Sequence, residues 1–135
     1  MRPYSQFLDQ LRTAGLRPTR QRLALAKLLF GGEDRHVTAE ILHDEAQRAN
    51  VRVSLATVYN TLHQFTDVGL LREIAADASK AYFDTNTTKH HPFYLADQGM
   101  LMDIPGDEIN VDNLPTAPEG TKVDSIDVVI RVSNN

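Results

Sequence analysis

The chain has 135 residues, 41% apolar and 24% charged, enough for one ordinary domain or two very small ones and unlike a disordered polymer. It has no cysteine, which excludes disulfides, thiol catalysis and Cys-ligated zinc or haem, so any metal must be held by His and carboxylate. The net charge of −4 is unevenly spread: residues 1–75 carry 10 Lys/Arg against 8 Asp/Glu, and residues 76–135 carry 4 against 10. No apolar run approaches the ~18 residues of a membrane span, and the N-terminus lacks a signal-peptide core, so a cytoplasmic protein without membrane contact is expected.

In chain order, Tyr4, Phe7, Leu8 and Leu11 recur at helical spacing and predict a first helix stopped by Gly15. Pro18 suits the first turn of a second, with Leu25, Leu28 and Leu29 inward and Gly31-Gly32 at its end. Thr38 can cap a third, whose inner face is Ile41, Leu42, Ala46 and Ala49. Ser54 can cap a fourth, with Leu55, Val58, Leu62 and Phe65 inward before Gly69.

After Gly69 the period changes. Leu70 to Ala75 and Lys80 to Asp84 read as a hairpin around Ala76-Asp77-Ala78-Ser79. Helix, turn, helix and hairpin is the winged-helix order. The polar stretch 85–89 reads as a hinge between residues 1–84 and a second domain over 90–135. There Asp97-Gln98-Gly99 suggests another hairpin, Glu108 to Leu114 a short helix, and Val123 to Val132 a strand with Ile126, Val128, Ile130 and Val132 on one face. The predicted class is α+β: an N-terminal winged helix and a small C-terminal α/β dimerisation domain. About 45 residues without disulfides cannot bury enough surface alone, so a homodimer is implied.

The fourth helix turns Thr57, Tyr59, Asn60, Thr61, His63 and Gln64 outward. Asn and Gln pair with adenine edges, Thr donates to phosphate, and a Tyr ring packs on a thymine methyl. The first 35 residues add 7 basic side chains against 3 acidic, Arg17, Arg20 and Arg22 among them as candidate phosphate contacts. A solvated helix face or a protein-interaction module would present similar chemistry, so composition alone leaves these readings open.

The segments LRPTRQ (16–21), HVTAE (36–40) and VSLATVYNTLHQFTDVGLL (53–71) resemble, in order and spacing, the N-terminal domain of the ferric uptake regulator (Fur) family. TKHHPFYL and GMLMDI fall where that family has its His-rich segment and first dimerisation strands, so the resemblance covers nearly the whole chain. The form VSLATVYNTLHQF with HHPFY and MDIP is most similar to the iron response regulator (Irr) branch. The resemblance implies a repressor-type, iron-responsive transcription regulator that binds a double-stranded DNA operator, with Tyr59 as the base-contacting residue. Asn60 stands where many family members place Arg.

The resemblance also implies a regulatory metal site. His36, Asp84, His90 or His91, and Asp103 occupy the positions from which the family draws its His and carboxylate ligands. Such a donor set suits Fe, Mn or Zn without choosing among them. Three features depart from the family: the Cys pairs of its structural zinc are absent, Pro92 breaks the His-x-His pattern after His91, and Ile126 lies near where another His is usual. Haem is the alternative effector, through His90, His91 or Tyr94. Two other functional classes compete: a metal-independent winged-helix interaction module, and a hydrolytic metal centre, for which no nucleophile elbow, phosphate loop or HExxH helix is present.

Overall fold

The computed structural model describes residues 5–77, 79–88, 90–105 and 108–135. Tyr4 of the expected first helix, Ala78 of the hairpin turn, and Lys89 of the expected hinge lie outside these residues. The chain divides into two units, Met1–Thr87 and Thr88–Asn135.

The first unit begins with α1 (Ser5–Thr13) and α2 (Arg20–Phe30), then β1 (His36–Val37), α3 (Ala39–Arg48) and α4 (Leu55–Asp67). Side-chain oxygens cap three helices: Thr19 accepts from Arg22 N, Thr38 from Ile41 N, and Ser54 from Thr57 N. Pro18 therefore precedes the α2 cap instead of lying in its first turn. Three helices close through a left-handed residue: Gly15 (φ 83°) lets Leu16 N reach the Leu11 carbonyl after α1. Asn50 (φ 59°) lets Val51 N reach the Ala46 carbonyl after α3, and Gly69 (φ 84°) lets Leu70 N reach the Phe65 carbonyl after α4.

The wing is β2 (Arg72–Asp77) and β3 (Lys80–Asp84), antiparallel, with Ser79 N and Oγ donating to Asp77 Oδ1 at the turn. The short strand β1 joins β3 on the other side, giving the order β1-β3-β2 and the register His36↔Asp84 and Val37↔Phe83. Phe7, Leu11, Leu25, Leu29, Leu42, Val58, Leu62, Phe65 and Phe83 form the core between helices and wing. The inner faces differ from expectation in part: Ala26, Ala39 and Thr61 are buried, whereas Ile41, Ala49 and Leu55 are exposed.

The second unit is a three-stranded sheet of β4 (Pro92–Leu95), β5 (Met100–Asp103) and β6 (Ile130–Val132), in the order β5-β4-β6. β4 pairs antiparallel with β5 across the Asp97-Gln98-Gly99 turn and parallel with β6. The last strand is much shorter than its alternation suggests, because β4 offers only Phe93, Tyr94 and Leu95 to pair with. Toward the His91 end the ladder stops at Pro92, which has no N–H. There the Val128 N–H is taken by the His91 ring instead of a backbone carbonyl. The short helix expected at Glu108 to Leu114 does not form, and Val111 and Leu114 are exposed. Pro105 and Pro115 bracket that stretch, and no apolar face is buried to stabilise a helix so short.

Phe65 is fully buried against Phe30, with ring centroids 6.2 Å apart, and anchors α4 to the helical core. Phe65→Ala is expected to destabilise the protein by about 3–5 kcal/mol, the range for emptying such a site. A denaturant melt with an unchanged midpoint would contradict this packing.

Candidate nucleic-acid interface and metal-ligand pairs

On α4, Val58, Leu62 and Phe65 are fully buried, and Thr61 is 4% exposed. Thr61 lies three residues after Val58 and four before Phe65, on the same face, so it is a core-edge residue and cannot read a groove from this position. Thr57 is half-buried and occupied at the cap, where its hydroxyl accepts from Ser54 Oγ at 2.9 Å. Gln64 is exposed, but its Oε1 accepts from Arg22 Nη2 at 3.0 Å, while Arg22 Nη1 donates to the Arg17 carbonyl at 2.8 Å. Arg22 thus braces α2 against α4. The outward face is left mainly to Tyr59, Asn60 and His63. Leu55, one turn before Tyr59 and also exposed, adds an apolar contact surface beside the ring.

Arg17 and Arg20 are exposed at the approach to α2. Arg20, Gln21, Ala24, Asn50, Val51 and Arg52 line a shallow depression of about 420 Å³, and Gln21 Nε2 donates to the Arg52 carbonyl. A second depression, lined by Gln47, Asn50, Val51, Arg52 and Val53, adjoins it. Arg52 therefore joins Arg20 on one basic rim just before the α4 cap. The sequence reading did not single out Arg52, because 32 residues separate it from Arg20.

Tyr59 is tied down. Its hydroxyl donates to Glu40 Oε1 at 2.7 Å, joining α4 to the first turn of α3. That bond, chiefly, holds the Glu40 carboxyl below its ordinary range and raises the Tyr59 phenol above its own.

The metal candidates form one pair in each unit. In the first, the β1–β3 register sets His36 opposite Asp84, with His36 Nε2 3.2 Å from Asp84 Oδ2. Asp84 is 1% exposed, and its Oδ1 accepts from Asn86 N at 2.9 Å. In the second, His90 Nε2 stands 3.3 Å from Asp103 Oδ1. His90 Nδ1 lies 2.6 Å from the Thr88 carbonyl. A carbonyl only accepts, so Nδ1 carries the proton and the lone pair of the neutral ring is at Nε2, facing a carboxylate. Two acceptors face each other there unless a proton or a metal cation lies between them. Two donor atoms each ~2.1 Å from one cation, at angles of about 90–110°, stand about 3.0–3.4 Å apart, so both pairs have the separation of neighbouring ligands.

His91 differs from His90. Its Nδ1 accepts the Val128 backbone N–H at 3.2 Å, which fixes the ring to the sheet end. The structure thus brings His36 to Asp84 and His90 to Asp103, and gives His91 a structural hydrogen bond.

A profile of the ferric uptake regulator family matches residues 13–131. The peroxide-responsive repressor PerR of Staphylococcus aureus strain Mu50 is 32% identical over 105 residues, which is 78% of this chain and 70% of that protein. Among solved structures, the ferric uptake regulator from Pseudomonas aeruginosa with manganese superposes with a TM-score of 0.69 at 25% identity, covering 93% of this chain and 96% of the other. The Vibrio cholerae ferric uptake regulator shares the fold with a TM-score of 0.73 at 21% identity, covering 95% and 99%. With the winged helix and the His/carboxylate pairs already in place, these likenesses show that the chain belongs to the ferric uptake regulator family, and that it is a metal-responsive DNA-binding transcription regulator and not an enzyme.

Proposed function

We propose that the chain is a cytoplasmic homodimeric repressor that reads a double-stranded operator with α4 and changes its DNA affinity with divalent metal, iron by its motifs' likeness to the iron response regulator branch. The observation that carries the DNA reading is the α4 face on which Tyr59 and Asn60 project while Val58, Leu62 and Phe65 fix the helix from behind. In the major groove, Tyr59 meets a thymine methyl and Asn60 an adenine edge, with Arg17, Arg20 and Arg52 on phosphates. Arg22 and Gln64 support these contacts through the brace they form with each other.

For the metal, the donor chemistry of His36, Asp84, His90 and Asp103 fits Fe, Mn or Zn. The tautomer of His90 supports its assignment as a ligand, and the engaged Nδ1 of His91 supports a structural role. His36 and Asp84 belong to the domain carrying α4, and His90 and Asp103 to the second domain beyond residues 85–89. A bound cation changes DNA affinity only through its differential affinity for the states that do and do not bind the operator. Of the haem candidates, Tyr94 is 5% exposed and His91 is engaged through Nδ1, which leaves His90 to supply a haem ligand. The PerR likeness favours one second reading, release by peroxide, which a DNA titration with and without hydrogen peroxide separates from metal response alone.

The small second domain supports the dimer. Its buried apolar set is little more than Tyr94, Leu101 and Ile104, while Met100, Met102, Val123 and Ile130 are exposed. Sedimentation is expected to show a dimer at micromolar concentration, and a folded monomer there would refute it.

Tyr59→Ala is expected to cost ~1–3 kcal/mol of operator binding and to be sequence-selective. Arg20→Ala or Arg52→Ala should weaken binding to every duplex and lower the salt slope by about one unit. Unchanged operator affinity in Tyr59→Ala would overturn the docking.

Replacing His36, Asp84, His90 or Asp103 by Ala should lower metal affinity by about 10–100-fold or more, since loss of even an outer partner costs that much. His91→Ala should keep wild-type stoichiometry. Elemental analysis of the five variants checks this, and retention of metal by the first four would remove these residues from the site.

A further inference from the structure

Tyr59 carries the base contact in the reading above, yet its side chain has a contact that DNA docking does not explain. Its hydroxyl donates at 2.7 Å to Glu40, a carboxylate on a different helix 19 residues away. An acidic group beside a residue that must approach a polyanion is electrostatically unfavourable. Its presence asks for a compensating role.

Glu40 is well held. It lies in the first turn of α3, where the helix dipole favours an anion, and after the Tyr59 hydrogen bond its own backbone N–H and the Thr38 hydroxyl also help hold its carboxyl below the ordinary range. The charge of Lys80, the first residue of β3 in the wing, acts on it favourably. The carboxylate is therefore a fixed acceptor, ionised across the neutral range, with a cation nearby to soften its charge. Tyr59 has two side-chain torsions, and an exposed Tyr on a helix would ordinarily sample several rotamers. Anchoring the hydroxyl end restricts that sampling while leaving the ring face and edge available.

We infer that Glu40 is a positioning residue for operator recognition: it fixes the Tyr59 ring, through the phenolic hydroxyl, in the orientation that meets a thymine methyl. This rests on the assignment of Tyr59 to base contact. The hydroxyl is then occupied by protein, and the ring supplies the recognition. At the surface of the free protein the bond adds little to stability, because water competes for both partners. When the helix enters the groove water leaves, and a preset ring saves the cost of ordering it.

The test uses the full-length dimer and a duplex selected in vitro by the wild-type protein, with a length-matched random duplex and a copy carrying deoxyuridine for thymidine. Selectivity is the ratio of selected to random affinity, which cancels the general gain from removing a negative charge. Glu40→Ala is expected to lower this ratio by roughly fivefold or more, a share of one base contact, and to lose most of the penalty for deoxyuridine. Glu40→Gln, which keeps an acceptor without the charge, should stay near wild type. Tyr59→Phe should match Glu40→Ala, and the double variant should be no worse than either single one. In the free protein, Glu40→Ala should bring the Tyr59 phenol back toward its ordinary titration, read by ultraviolet absorbance, with little change in melting temperature. If Tyr59→Ala leaves selected-duplex affinity unchanged, the docking itself fails. If Tyr59→Ala weakens binding but Glu40→Ala keeps full selectivity, or the losses of Glu40→Ala and Tyr59→Phe add, the positioning role alone is overturned.

Discussion

A carboxylate that is 1% exposed is costly unless its oxygens are engaged, and Asp84 sets this condition for the first domain. It ends the wing, and its two oxygens are answered by Asn86 N and by His36 across the sheet. The two-residue strand β1 is what delivers His36 there. Because Val37, next to it, packs into the core, the strand cannot slip by one residue without exposing Val37 and losing the His36 pairing. The hydrophobic core of the winged helix and the chemistry of its candidate ligands are therefore set by one register.

The absence of cysteine shapes the second domain in the same way. With neither disulfide nor Cys-ligated zinc to close it, the sheet depends on few buried residues and on polar ties such as His91 to Val128 and Asn134 to Asp97. Such a unit gains most from association and from a bound cation, both of which act as stabilising ligands by mass action.

Much of the first domain was legible in the sequence because its signals are local. Caps at Thr38 and Ser54, stops at Gly15 and Gly69, and the apolar spacing of Val58, Leu62 and Phe65 operate within one or two turns. What escaped was non-local. Thr61 looks outward by residue type, but helix closure against the core buries it; Arg22 and Gln64, 42 residues apart, look like two DNA contacts and turn out to hold each other. The pattern in residues 123–132 alternates well, yet a strand needs a neighbour of matching length, and β4 begins only at Pro92. The His90-His91 doublet was equally ambiguous, since only the surrounding backbone shows which ring nitrogen is already engaged. Glu40 carried no signal at all, because acids are ordinary in the first turn of a helix.

These side-chain ties narrow the chemistry with which α4 can read DNA. α4 contains no Arg, so it has no guanidinium of its own to offer a guanine, and the nearby Arg22 of α2 is hydrogen-bonded to Gln64. Asn60 stands where many family members have Arg, and Asn suits adenine. Beside it, Leu55 and the Tyr59 ring present apolar surface, which suits thymine methyls. In the proposed docking the positive charge that gives affinity lies off the helix, on Arg17, Arg20 and Arg52, and is blind to sequence. On that docking affinity and specificity are carried by separate parts of the domain, and selectivity depends on how accurately a few uncharged side chains are held.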